Sequence, residues 1–132
     1  AIVHPERINI NIPDFQYNGQ PWKHTQNAKL VGHHSLPTEK EIHLGRIEAA
    51  KHFLACNNIN KITVQSDKDS IGIITAGKTY YDIVEALDSL GWDEAFLNEK
   101  GIRILKLGAT FPVDSKTIKQ FSSFWCCILF LG

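Results

Sequence analysis

The sequence predicts a three-layer α/β/α domain on a mostly parallel sheet, and three observations carry that expectation. Apolar runs of strand length recur at Ile71 to Thr75, Ile102 to Leu107 and Trp125 to Leu131, and a helical pattern fills each gap between them. Each passage from strand to helix falls at a turn or capping residue, Gly77 in one case and Asp114 in the other. Strands that alternate with helices imply crossover connections, which run strands parallel and cover both faces of the sheet.

Residues 1–37 are expected to be an irregular arm or linker that packs on a neighbouring domain. They are rich in Asn, Gln, Pro and His, with one short apolar alternation, Ile8, Ile10 and Ile12, bounded by Pro5 and Pro13. The arm could lay one edge strand, and Asn18-Gly19-Gln20-Pro21 reads as an irregular loop. The α/β domain is then expected over 38–132. Pro37 precedes Thr38-x-x-Glu41, a capping box that starts a helix running to about Cys56 and stopping at Asn57-Asn58. At 100° per residue Ile47, Ala50 and Leu54 share a stripe with His43, while Ile42, Ala49, Phe53 and Cys56 form a second. Two apolar faces imply two neighbours, the sheet of this domain and a further domain or subunit. Ile42, Ala49, Phe53 and Cys56 are therefore the candidate domain interface.

Next, Lys61 to Ser66 alternates like a short strand, Asp67-Lys68-Asp69-Ser70 is a polar turn, and Ile71 to Thr75 is β-branched enough for a central strand. Thr79 suits the N-cap of a helix whose Tyr80, Ile83, Val84, Leu87 and Leu90 recur at helical spacing, with Gly91 closing it. A polar, acid-rich connection reaches Gly101, followed by the Ile102 to Leu107 strand. Phe111-Pro112-Val113 ends the extended segment, and Asp114 caps a short helix through about Phe121.

Gly72, Gly77, Lys78 and Thr79 spell G-x-x-x-x-G-K-[ST], the pattern of a phosphate-binding loop. A working loop needs an apolar strand before its first Gly and a curl between the two glycines. Here the polar run SDKDS precedes Gly72, and Ile73, Ile74 and Thr75 are themselves the best strand in the chain. What survives is a strand-to-helix turn where backbone N–H groups are free, making Gly77, Lys78 and Thr79 candidate contacts for an anion, which the family resemblance given below would make a part of coenzyme A. An independent phosphate- or nucleotide-binding domain using Gly72 to Thr79 is the alternative function.

Lys plus Arg and Asp plus Glu number 14 each, so the formal net charge is zero and nothing favours a nucleic-acid or anionic-membrane partner. The three cysteines, Cys56, Cys126 and Cys127, offer no C-x-x-C spacing, so neither a disulfide framework nor a metal site is expected. The six histidines are not expected to bind metal: His43 and His52 fall on opposite sides of a helix, and His33 and His34 lack a third ligand. With no leader pattern and no apolar run long enough to span a bilayer, a soluble cytoplasmic protein, or a piece of one, is the expectation. No catalytic constellation emerges from the residues alone.

The run from His43 to Asp114 resembles the second domain of indolepyruvate ferredoxin oxidoreductases, chiefly through GIITAGKTYYDIVEAL followed by GIRILKLGATFPVD. VHPERINI and LPTEKEIHLGRIEAAK are similar to the approach to that domain in the large fused members. The resemblance implies a transketolase C-terminal-like fold. It also implies a parent enzyme that converts an aryl 2-oxoacid and coenzyme A to an acyl-CoA and carbon dioxide, with ferredoxin as electron acceptor. Thiamine diphosphate, Mg²⁺ and an iron-sulfur cluster would be held by other parts of that enzyme. This chain would carry no cofactor or catalytic residue, would be inactive alone, and would have the other domains or subunits as partners. SSFWCCILFLG departs from the strand with acidic residues expected after Phe121, so 122–132 reads as an atypical tail.

Overall fold

The computed structural model describes residues 9–25, 31–66, 68, 70–123 and 127–131. Pro5, Ile8, Asp67, Asp69, Trp125 and Cys126, which entered the expectations above, lie outside the described residues. Two compact units divide the chain, Asn9–Asn57 and the unit that contains Asn58–Gly132.

In the first unit, strands β1 (Gln16–Tyr17) and β2 (Gln20–Pro21) pair antiparallel across Asn18-Gly19. Asn18 and Gly19 have φ of 54° and 77°, the positive pair that a two-residue hairpin turn demands, and Asn-Gly is the dipeptide that best tolerates it. The stretch read as an irregular loop is thus a hairpin. A single 3₁₀ turn at Gly32–His34 leads into α1 (Ser35–Glu41), a five-residue π segment at Ile42–Arg46, and α2 (Ile47–Cys56).

The helix starts before Thr38, and the expected capping box does not form: the Thr38 hydroxyl donates to the His34 carbonyl one turn back, at 2.9 Å. Pro37 sits within the first turn of α1, where its missing N–H leaves no intrahelical bond unmade. The π segment also breaks the 100° count, because its wider turn rotates α2 relative to α1. Stripes counted from Ile42 or His43 therefore do not carry through to Ala49 and Phe53.

The second unit is a four-stranded sheet of order β3-β5-β4-β6. Its strands are β3 (Lys61–Val64), β4 (Ile71–Ala76), β5 (Ile102–Leu107) and β6 (Cys127–Leu131). β4 runs parallel to β5 on one side and to β6 on the other, while β3 is an antiparallel edge with an irregularity between Ile62 and Val64. Helix α3 (Gly77–Ser89) and the six-residue α4 (Glu94–Glu99) precede β5, and α5 (Ser115–Ser122) precedes β6.

Successive strand residues alternate between two cores. On one face Ile74, Leu105 and Phe121 of α5 are almost fully buried, with Ile62, Leu107, Ile118 and Ile128 around them. On the other, Leu97 of α4, Ile102 and Ile104 are buried beneath Tyr80, Ile83 and Leu87 of α3. This is the three-layer α/β/α arrangement expected, with helices on both faces of a mostly parallel sheet. The apolar stripe of α3 is wider than the core it covers, for Val84 and Leu90 remain exposed.

α4 occupies what reads in sequence as a polar connection. Asp93 is its N-cap, accepting from Phe96 N at 2.8 Å, and Trp92 packs on Phe96 with ring centroids 4.9 Å apart. The chain between β3 and β4 passes the start of β5 at Gly101, whose carbonyl accepts from Ser70 N at 2.8 Å and Ile71 N at 3.0 Å. Gly101 has φ of 68°, and a Cβ there would strike the Lys68 carbonyl oxygen and lie 2.7 Å from Ser70 Oγ.

Gly101→Ala therefore meets both a strained backbone and a backbone clash. It is expected to destabilise the chain by about 2 kcal/mol or more in denaturant unfolding. A change below about 0.5 kcal/mol, the range of an ordinary surface substitution, would contradict the close crossing.

Candidate functional site

In open α/β sheets ligands and partners gather at the carboxyl ends of the strands, where adjacent strands send their chains to opposite faces. β4 and β5 are such a pair. β4 leads into α3, whose Tyr80, Ile83 and Leu87 lie on one core, and β5 leads to α5, whose Ile118 and Phe121 belong to the other. The turn after β4 carries Gly77, Lys78 and Thr79, and the loop after β5 runs over 108–114.

The structure shortens the first turn to almost nothing. β4 continues to Ala76 and α3 starts at Gly77, so Thr79 lies within the first turn rather than at the N-cap, and Ala76, in the cap position, supplies no side-chain oxygen. Gly77 takes φ of 55°, which lets the chain reverse from strand to helix in one residue. Lys78 is largely solvent-exposed, and its ammonium rests on Asp82 one turn along, at 2.6 and 2.8 Å from the two carboxylate oxygens. Thr79 is half-buried.

Gly72, the first glycine of the phosphate pattern, is buried inside β4. Residues 71–75 pair with β5 on one side and β6 on the other. A parallel strand flanked on both sides commits its amides to the ladders, so in this geometry those of Gly72 to Thr75 belong to the sheet and not to a curled loop.

A small cavity of about 180 Å³ opens at these strand ends, lined by Ile74, Thr75, Ala76, Leu107, Thr110, Phe130 and Leu131. Of the residues lining it, Phe130 is 66% exposed and Leu131 is exposed as well; on the loop after β5, Phe111 is 75% exposed and Val113 is exposed. Thr75 is buried and its hydroxyl has no partner among the described residues. Lys106, the register partner of Thr75 on β5, hydrogen-bonds to the Tyr81 hydroxyl at 3.0 Å and lies 4.6 Å from the centres of both the Tyr80 and Tyr81 rings. This second lysine of the strand-end region went unmarked in the sequence, because only its position opposite Thr75 and beneath the start of α3 brings it there.

The loop after β5 is held by Asn60, just before β3. Asn60 Oδ1 accepts from Gly108 N at 3.1 Å and Ala109 N at 3.3 Å, while Nδ2 donates to Asp114 Oδ2 at 3.4 Å. Asp114 in turn caps α5, accepting from both the backbone N–H and the hydroxyl of Thr117.

In the Asn9–Asn57 unit, the candidate interface residues are distributed differently from a single stripe. Ile42, Ala49 and Phe53 are half-buried and Cys56 is exposed. Residues of the arm lie over part of this face: Asn11 exchanges hydrogen bonds with the Asn57 side chain at 2.7 and 2.8 Å, and the Cys56 thiol donates to the Asn11 carbonyl at 3.3 Å. Ile10, Ile12, Leu36 and Leu44 are exposed in the same unit. No group of His, Cys, Asp or Glu among the described residues has the arrangement of a metal site, and no helix among them is long and apolar enough to cross a membrane.

Comparison with known proteins adds a family. A model of the indolepyruvate oxidoreductase domain matches residues 61–129, just over half of the chain, from the first residue of β3 into β6. No curated protein and no solved structure matches it.

Burial opposes ionisation of Asp114, but the hydrogen bonds from Thr117, Asn60 and the backbone outweigh it and hold its carboxyl below the ordinary value. A carboxyl that is more acidic in the folded than the unfolded state contributes stability above the unfolded pKa of about 4, and that contribution is lost as pH falls through the folded value. Asp114→Ala is thus expected to cost about 1 to 2 kcal/mol at pH 7, with the deficit shrinking as the pH is taken below about 4. A deficit in urea unfolding that stayed constant from pH 7 to pH 2 would count against this bracket.

Proposed function

The chain belongs to the indolepyruvate oxidoreductase domain family, and on that premise we propose that it is a structural and interface domain of an indolepyruvate ferredoxin oxidoreductase, with the catalytic groups held by other parts of the enzyme. The parent would oxidise an aryl 2-oxoacid to its acyl-CoA and carbon dioxide and pass the electrons to ferredoxin. The domain would be the second of the thiamine-diphosphate-dependent subunit, of the transketolase C-terminal type, in a cytoplasmic enzyme.

The observation that carries this reading is the apolar surface at the end of the matched segment. β6 is an edge strand with Leu129, Phe130 and Leu131 all exposed, and Phe111 and Val113 are exposed on the loop after β5. A surface of that composition marks a contact with another protein surface more often than a site of chemistry. The Asn9–Asn57 unit supports the same reading with exposed Ile10, Ile12, Leu36 and Leu44, beside the candidate contacts Ile42, Ala49, Phe53 and Cys56.

The donor set of the described residues does not fit the parent's inorganic groups. A Mg²⁺ bound to a diphosphate asks for converging oxygen ligands, and an iron-sulfur cluster asks for several thiolates. Cys56 is exposed on its helix, and no described acidic cluster has metal-site geometry. In this reading thiamine diphosphate, Mg²⁺ and the cluster belong to other domains. Gly77, Lys78 and Thr79 stand at the strand end where a neighbour could bring an anionic part of coenzyme A against them, Lys78 exchanging its Asp82 contact for it.

With indolepyruvate, coenzyme A and oxidised ferredoxin, the chain alone is expected to give no acyl-CoA. Leu129→Lys with Phe130→Glu is expected to weaken its association with the remaining subunits at least about tenfold, a loss of about 1.4 kcal/mol, while the thermal midpoint moves little. Sustained turnover by the isolated chain, or association untouched by the paired substitutions, would contradict the proposal.

A further inference from the structure

The hairpin of the Asn9–Asn57 unit turns on Asn18-Gly19, a dipeptide that carries chemistry as well as shape. Asn18 is the only asparagine in the chain followed by glycine. Both residues are exposed, and the place where a Gly19 Cβ would stand has no neighbour within 4 Å. Nothing therefore shields the Gly19 backbone nitrogen from the side chain before it. No hydrogen bond among the described residues engages the Asn18 carboxamide, whereas those of Asn57 and Asn60 are held by backbone groups.

The strands around this turn have two residues each, and a hairpin that short is marginal on its own. Its turn opens locally at little cost, without unfolding of the remaining chain. Asn58 supplies a comparison within the same molecule. It too is exposed and has a positive φ, 48° against 54° at Asn18, but Ile59 follows it, and a β-branched side chain crowds the nitrogen that glycine leaves open. The two sites share backbone region and exposure and differ in the residue that comes next.

We propose that Asn18 is a self-modifying site whose conversion unmakes the hairpin. With the turn open, the Gly19 backbone nitrogen loses its proton and attacks the Asn18 side-chain carbonyl carbon. The bond from that carbon to the amide nitrogen breaks, ammonia leaves with the proton, and a cyclic succinimide remains. Water then opens the ring at one carbonyl or the other, giving aspartate or isoaspartate, and no other reactant is consumed. The two products differ in what they do to the turn. Aspartate keeps the backbone and, like asparagine, tolerates the left-handed conformation. Isoaspartate routes the chain through an extra methylene, so the two-residue turn no longer fits the pairing of Gln16 with Pro21 and Tyr17 with Gln20. Trp22 N–H then loses the Phe15 carbonyl, 2.8 Å away at the base of the hairpin, and the indole its edge contact with the Phe15 ring. The site lies outside the matched residues 61–129 and does not depend on the interface proposal.

The test is incubation of the full chain at mildly alkaline pH, with digestion and mass spectrometry of the peptides that hold Asn18 and Asn58, and amide NMR spectra of the same samples. Conversion at Asn18 is expected to run at least about tenfold faster than at Asn58, with isoaspartate among its products. It should slow as the pH is lowered, because the attacking nitrogen must shed its proton. The Trp22 backbone amide signal should move in step with the isoaspartate fraction and keep its place in freshly prepared Asn18→Asp. Gly19→Ala is expected to slow conversion at least about tenfold. Alanine is strained at the φ of 77° found there, so if that variant loses the hairpin the comparison of Asn18 with Asn58 decides. Equal rates at Asn18 and Asn58, a rate indifferent to pH, or a Trp22 amide unmoved by isoaspartate would overturn the proposal.

Discussion

The sheet unit depends on β4 having a parallel neighbour on each side. Its register with β5 runs from Ile71↔Ile102 to Ala76↔Leu107, and with β6 from Ile71↔Cys127 to Thr75↔Leu131. Because side chains alternate along it, this single strand sends Ile74 into one core and Ile73 towards the other, so both helical layers are built on it. A slip of one residue would exchange the two faces and strand Thr75 in the core that holds Phe121. The crossing at Gly101 helps fix that register at its lower end, since Ser70 and Ile71 both donate to the Gly101 carbonyl.

The same constraint shapes function. A strand flanked on both sides has few backbone groups to spare for a ligand, and Gly72 to Thr75 spend theirs on the sheet. What remains free is the strand end, where α3 departs on one face and α5 follows on the other. There the exposed groups are largely apolar, and the cations are engaged, Lys78 with Asp82 and Lys106 with two tyrosine rings. Such an end is better suited to pressing against another domain than to holding a free nucleotide. β6, at the sheet edge with exposed apolar side chains, extends that character along the strand.

Much of the α/β unit was legible because its signals are local. β4 and β5 are β-branched runs, α3 has helical spacing, and Asp114 caps α5 where its position suggests. α4 was not legible, since six residues give too little periodicity and Asp93-Glu94 looks like any solvated turn until Leu97 is seen buried. The hairpin at Asn18-Gly19 did carry its signal in the dipeptide, but strands of two residues offer no alternation to support it. The π segment at Ile42–Arg46 hides from any count made at a fixed angle. Of the strand-end region, Gly77, Lys78 and Thr79 were marked by their motif. The Lys78–Asp82 pair follows from i, i+4 spacing, whereas Asn60 and Lys106 arrive through tertiary pairing that no local pattern records.

Native-state hydrogen exchange of the amides from Gly72 to Ala76, with and without ATP and Mg²⁺, bears most directly on β4 as a central strand rather than a phosphate loop. The structure predicts that Ile73, Ile74 and Thr75 exchange among the slowest in the chain, at the free energy of global unfolding, and that nucleotide leaves them unchanged. Fast exchange at these amides, slowed at least about tenfold by ATP and Mg²⁺ as in a loop that closes on phosphate, would contradict it.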